Sequence, residues 1–356
     1  MRHRRLIVSL LMVFMLSLTL PPTLGSAAGP DSSACLNDPF GPGCAAGLPS
    51  VTYQMLLDEM LLHPEPNVRP LAPNMGEIAR FAFRKIVDGG ATIYDAPGGN
   101  PIGTVEEGFN YVSVTGAQGD WLQINDGQWM PASQLAIVRP SAFAGVYLDG
   151  GLEYPMAWVL VPSYPSPYPG AAGDQSRPLI QRYTRVNIFT AVEVDGWEWY
   201  LIGPEAWISQ TSVARALLEE RPPQVKGRWF TVDLYEQVMV AYEEDTPVFA
   251  TLVSSGLEDW ATNEGLFKVW SRQSNGHMSG AEGLPDSYSL ENVPWVMYFD
   301  QAISLHGTYW HDGFGYRHSH GCVNLTITDA YWAFNWSRDG GFDTPFVYVY
   351  SSGHYQ

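Results

Sequence analysis

Apolar residues recur along the chain in short runs punctuated by Gly, Pro, Asn and Asp, the pattern of strands joined by turns. Tyr111–Val114 and Val186–Phe189 alternate apolar with polar residues. Trp229–Tyr235 and Gln237–Tyr242 predict a strand pair, Glu243–Pro247 a turn, and Val248–Val253 a third strand. Pro294–Ile303 predicts a further strand, ending at Leu305-His306-Gly307, and Phe346–Tyr350 a last one. Two stretches have helical character. One is Tyr53–Leu62; the other begins at a Thr326 or Thr328 cap, runs through Trp336 and stops near Gly340-Gly341. The expected fold is mainly β.

The pattern also repeats. Trp121 and Trp129 lie eight residues apart and Leu135 follows six later; Trp199, Trp207 and Val213 keep the same spacing. Pro101–Val105 and Pro178–Arg182 open the two copies at offsets of 20 and 21 residues. Each copy reads as a small antiparallel barrel, and the two, at 76–139 and 142–218, resemble bacterial SH3-like modules that act as wall binders or as spacers. Pro162–Pro169 is an extended loop inserted in the second copy. Residues 29–75, rich in Pro, Gly and Ala, read as a tether with one local element. Arg221-Pro222-Pro223 marks a boundary before a β-rich C-terminal domain at 226–351 with a short helix.

Composition narrows the class. At 356 residues and 46% hydrophobic content the chain can bury more than one core, and two or three domains are expected. A formal charge of −18 argues against nucleic acid or an anionic membrane as partner. Residues 1–28 carry Arg2, Arg4 and Arg5, an apolar stretch from Leu6 to Leu20, and small residues Ser26-Ala27-Ala28. That is the layout of an export signal, cleaved near Ala28 or retained as an anchor. Losing it removes three arginines and no acid, taking the charge from −18 to −21. In an oxidising compartment Cys35 and Cys44, nine apart across a turn-rich loop, are expected to pair. Cys322 is then a lone thiol, either buried and inert or retained for chemistry.

The chemistry concentrates around that thiol. His306, His311, His318 and His320 fall in one segment that Cys322 closes, ending Ser319-His320-Gly321-Cys322-Val323-Asn324. One reading is a thiol nucleophile with a histidine base, either His306 or His320, since an unperturbed cysteine is mostly protonated at neutral pH. Amides of Gly321 and Cys322 can then face a developing oxyanion. A zinc site is the second reading, weakened by the lack of a second thiolate or of helical His spacing. A core cysteine among surface histidines is the third.

The string His306…Ser319-His320-Gly321-Cys322-Val323-Asn324 resembles the signature of the L,D-transpeptidases, cysteine enzymes that cross-link peptidoglycan. The resemblance spans 226–351 and includes Thr262-Asn263-Glu264-Gly265-Leu266-Phe267, with Asn263 where the family has Pro. It implies a β-sandwich-like catalytic domain, no metal or other cofactor, and peptidoglycan stem peptides as partners: a donor tetrapeptide and an amine acceptor. It further implies Cys322 as nucleophile and His306 as base, with the Gly307 carbonyl orienting the imidazole. Ser319 and His320 would shape the loop, Gly321 and Cys322 supply the oxyanion amides, and Asn324 support site or substrate. Trp310, Arg317, Tyr298, Tyr288 and Trp295 are weaker cleft candidates. Gly276–Leu290 is expected to form a lid. Hydrolysis of the same acyl-enzyme, as an L,D-carboxypeptidase, is the enzymatic alternative. A papain-like endopeptidase is disfavoured because its Cys precedes its base. A non-catalytic wall-binding protein is the remaining alternative.

Overall fold

The computed structural model describes residues 32–87, 90–281, 287–338 and 344–353. The export signal expected at 1–28 lies outside them. Among the described residues no helix is long and apolar enough to cross a membrane.

Two large sheets face each other across the main core. One runs, in spatial order, Gly265–Lys268, Phe346–Tyr350, Arg228–Asp233, Val238–Glu243, Thr246–Leu252, Val146–Tyr147 and Arg69–Pro70. The other runs Leu135–Ile137, Ala82–Ile86, Phe109–Val114, Tyr288–Asp300, Ile303–Thr308 and Val323–Thr326, with Ser271–Gly280 also paired to Tyr288–Asp300. Phe230, Val232, Met239 and Phe249 of the first sheet share one buried cluster with Val296, Met297, Leu305 and Leu325 of the second. The opposite face of the first sheet is buried too: Trp229, Val238, Val240 and Tyr242 pack on Met156, Trp158 and Ala214. A strand covered on both faces has no water-facing side, which explains why Trp229 and Phe230, pointing to opposite faces, are both fully buried.

The helix Ile327–Trp336 closes the second sheet. Thr326 is its cap, accepting from the Asp329 amide, and Ala330, Ala333 and Phe334 enter the core. Asp329 is fully buried and ties three elements together. Its Oδ1 accepts from the Gly145 amide at 2.9 Å and its Oδ2 from the Thr251 hydroxyl at 2.6 Å. Asp329→Ala strands both donors away from water, and each is expected to cost about 1–3 kcal/mol. A urea-unfolding midpoint close to that of the parent protein would show that these bonds do not anchor the helix.

Three expectations change. First, the Trp-marked copies do share a motif: hairpins Trp121–Asn125/Gln128–Pro131 and Trp197–Gly203/Ala206–Ser209 each lead through a one-turn 3₁₀ helix to a closing strand. No closed barrel is found among the described residues, however. The first copy divides between a separate five-stranded sheet and the large second sheet; the second copy gives Val146–Tyr147 to the first large sheet and splits otherwise into two three-stranded sheets. Pro178–Arg182 contributes only a single bridge, Ile180 to Ser163. Local periodicity reports a strand, not the sheet it joins.

Second, residues 32–75 are docked rather than a tether. Cys35 and Cys44 form a disulfide, and the helix Ser50–Leu62 follows. Leu48, Tyr53 and Met60 pack on Phe189, Leu201 and Trp207, and Trp207 Nε1 donates to the Ala46 carbonyl at 3.0 Å. Third, the segment expected as one strand to Gly307 is two, Tyr288–Asp300 and Ile303–Thr308, because Gln301 adopts φ 48° and turns the chain.

Candidate active site

Strand register builds the site. Ile303–Thr308 and Val323–Thr326 are parallel neighbours, with Leu305 opposite Val323 and His306 opposite Asn324. Side chains alternate along a strand, so His306, Ser304 and Asn324 share one face, and Cys322, one step before its strand, joins them. Cys322 Sγ lies 3.6 Å from Ser304 Oγ and 3.7 Å from the Ala302 carbonyl oxygen. His306 and Cys322 line a single cavity of about 280 Å³ with Trp310, His318, Ser319, His320, Asn324, Tyr288, Leu290, Met278 and Phe109.

His306 is 2% exposed, and its Nδ1 lies 3.1 Å from the Gly307 carbonyl oxygen. A carbonyl can only accept, so Nδ1 carries the proton and Nε2 keeps a free lone pair. Burial pushes the imidazole down to about 4 and pushes the Cys322 thiol up, against a smaller opposing effect of Ser304. The resting pair is therefore neutral at pH 7, thiol and imidazole rather than thiolate and imidazolium. Tyr288 and Tyr298 are both pushed up, first by burial and then by the proximity of Cys322.

The loop carrying Cys322 is held from below. Ser254 bridges to Asn324 and Gly256 to Ser319, and the His318 and Ser319 amides both donate to the Ser255 carbonyl. Thr262 clamps the turn: its hydroxyl accepts from the Gly256 amide at 3.0 Å and donates to the Gly321 carbonyl at 2.8 Å. Gly321 has φ +113°, which an L side chain rarely adopts. Thr262→Val keeps the shape and leaves both backbone groups unpaired, for an expected loss of about 1–3 kcal/mol. An unchanged melting curve would show that the clamp is dispensable.

The structure sorts the residues that the sequence pointed to. His306, Cys322, Asn324, Ser319, His320, Trp310 and Tyr288 converge on the cavity. Ser319 Oγ donates to the Cys322 carbonyl at 2.5 Å and accepts from the Gly321 amide at 3.1 Å. The Gly321 N–H, expected as an oxyanion donor, is thus bonded to Ser319 within the loop. His320 lines the same cavity as Cys322 and lies between Tyr288 and Trp260, with ring centroids 5.2 and 5.1 Å away. Tyr298 sits opposite Ser304 in the neighbouring strand and meets Trp270 at a tilt, ring centroids 5.6 Å apart, outside the cavity lining. Arg317 is also outside that lining. Trp295 packs on Tyr331 and Phe334 in the core. Among the described residues no group of three or more His, Cys, Asp or Glu side chains has the geometry to hold a metal ion.

Sequence reasoning missed Phe109, and reached Met278 and Leu290 only as part of the segment expected to be a lid. They reach the cavity because Phe109–Val114, far upstream, pairs in parallel with Tyr288–Leu290. The hairpin expected to be a lid is fastened by that pairing, by the Phe109 amide on the Ser287 carbonyl, and by Glu291 accepting from the Ser113 amide at 3.0 Å. Residues 282–286 of this segment lie outside the described residues.

Residues 227–349 match the family model of the L,D-transpeptidase catalytic domain, YkuD. YciB of Bacillus subtilis (strain 168), named as a candidate L,D-transpeptidase, is 30% identical over 127 residues; the match covers 32% of this chain and 63% of that protein. Among solved structures, a mutant of the Enterococcus faecium L,D-transpeptidase is 25% identical over 36% of this chain and 51% of its own, with a TM-score of 0.32. An L,D-transpeptidase from Stackebrandtia nassauensis is 25% identical over 38% and 61%, with a TM-score of 0.29. The part of the chain that supplies both His306 and Cys322, residues 227–349, is the part that matches the L,D-transpeptidase catalytic domain family.

Proposed function

We propose that this protein is an exported L,D-transpeptidase that cross-links or remodels peptidoglycan by cysteine acyl transfer. The observation that carries the reading is the placement of Cys322 and His306 on one face of two parallel strands, in one cavity, with Nδ1 of the imidazole held by the Gly307 carbonyl. His306 Nε2 takes the thiol proton as Sγ attacks the carbonyl of the third residue of a donor tetrapeptide stem. The tetrahedral oxyanion forms beside the Cys322 amide, a type of contact worth about 2.7–4 kcal/mol. The intermediate collapses to a thioester, the terminal D-alanine leaving with the proton that His306 returns. The amine of a second stem then attacks the thioester, loses its proton to His306 and restores the thiol. The aromatic wall of Tyr288, Trp310 and Phe109 keeps water from the thioester. No metal or nucleotide takes part. The signal-like pattern at 1–28 and the disulfide of Cys35 with Cys44 support a location outside the cytoplasm, where the Trp-marked repeats bind or space the wall.

The test gives purified protein a disaccharide-tetrapeptide and follows products by mass spectrometry. Release of D-alanine with dimers joined through third residues is expected. Release of D-alanine with tripeptide alone would make the protein an L,D-carboxypeptidase. No product and no adduct on Cys322 would leave a non-catalytic wall protein.

A further inference from the structure

The mechanism leaves His311 idle, yet it is bonded on both nitrogens. The Gly313 amide donates to its Nδ1 at 3.0 Å, and its Nε2 lies 2.8 Å from the Asn324 carboxamide. A backbone amide can only donate, so Nδ1 is bare and the neutral ring carries its proton on Nε2. That proton needs an acceptor, which fixes the carboxamide oxygen toward His311. The other terminal atom of the carboxamide, the nitrogen in this orientation, is buried, and Asn324 lines the cavity. Asn324 is 1% exposed, so its NH₂ needs an acceptor, and an oxygen of a molecule entering the cavity that Asn324 lines can supply one.

We propose, resting on the transpeptidase reading, that His311 is a positioning residue: it holds the Asn324 carboxamide so that its NH₂ donates to a carbonyl or carboxylate oxygen of the bound acyl donor. The two histidines then hold opposite tautomers. His306 keeps its proton on Nδ1 against the Gly307 carbonyl and offers Nε2 as base; His311 keeps its proton on Nε2 and acts only through Asn324. The ring is kept neutral by its setting. Burial, with His318, His306 and Arg182 facing it, pushes it down to about 3. His318 stacks on it with centroids 4.0 Å apart, and Phe314 lies at 5.1 Å.

The test uses the full chain labelled with ¹⁵N-histidine, alongside His311→Phe, His311→Gln, Asn324→Ala and the double variant His311→Phe/Asn324→Ala. The His311 resonance is expected to report a neutral ring protonated at Nε2 from about pH 5 to pH 8; an Nδ1–H tautomer or an imidazolium in that range would overturn the proposal. In D-alanine release, His311→Phe and Asn324→Ala are each expected to lower kcat about 10²-fold with KM little changed, the double variant no further. His311→Gln, whose amide can still donate to Asn324, is expected to recover most of the rate. A folded His311→Phe with parental kcat, or losses that multiply in the double variant, would overturn it. The resonance is read without substrate, so a parent protein that releases no D-alanine would strike the transpeptidase reading instead.

Discussion

Cys322→Ala is expected to abolish D-alanine release, with kcat falling about 10⁴–10⁶-fold, while the fold is retained. The size of the loss follows from the site's design. Ser304 and Ala302 touch Sγ, but neither a hydroxyl at that position nor a carbonyl oxygen is activated for attack, and no other thiol is free among the described cysteines. The substitution removes one sulfur from a half-buried position, so the melting temperature is expected to move little. Product formation that survives in the Ala variant would refute the thioester pathway.

His306→Ala is expected to cost about 10²–10⁴-fold in kcat/KM, and the parent's pH profile says why. Burial holds His306 at about 4 instead of the ordinary 6.5, and the Cys322 thiol stands above its usual range. Below pH 4 the imidazole is protonated and cannot take the thiol proton, so kcat/KM falls. As pH rises through about 4 the base is freed and kcat/KM rises to a plateau. Above the raised thiol value the sulfur ionises unaided, so this pair imposes no alkaline loss. The acidic limb is therefore expected near 4 and to vanish in His306→Ala, whose residual rate climbs only as the thiol ionises. A limb near 6.5 in the parent would mean that the ring is solvated or already paired with a thiolate. Measuring kcat/KM across the acid range in both proteins decides it.

The candidate groups that share the cavity were legible in the chain's own pattern because their chemistry is written in residue type and adjacency. Ser319-His320-Gly321-Cys322 forms a tight turn whose parts need one another: the Ser319 hydroxyl closes it, Gly321 supplies the positive φ, and Cys322 follows at the head of a strand. The Thr326 cap and the helix to Trp336 were legible for the same local reason. What the sequence concealed is non-local. Nothing near Phe109 signals that its strand lies beside Tyr288, some 180 residues away, and so roofs the cavity. The two Trp repeats have the spacing of independent barrels, yet Ala82–Ile86 and Phe109–Val114 of the first use their edges to extend the large second sheet. The turn-rich segment around Cys35 and Cys44 looks like a linker until its apolar residues meet Trp207 and Phe189. The direction of the Gly321 amide was equally hidden, because a one-residue change in which hydroxyl accepts it leaves no trace in spacing.

The most direct measurement of the central claim is the intact mass of the full chain after brief exposure to disaccharide-tetrapeptide without an added acceptor, followed by peptide mapping. A mass gain equal to the disaccharide-tripeptide acyl group, carried on the peptide containing Cys322 and discharged by an amine-bearing stem into a cross-linked dimer, is the predicted result. A chain that stays unmodified while D-alanine is released, or that carries the acyl group on another residue, would contradict it.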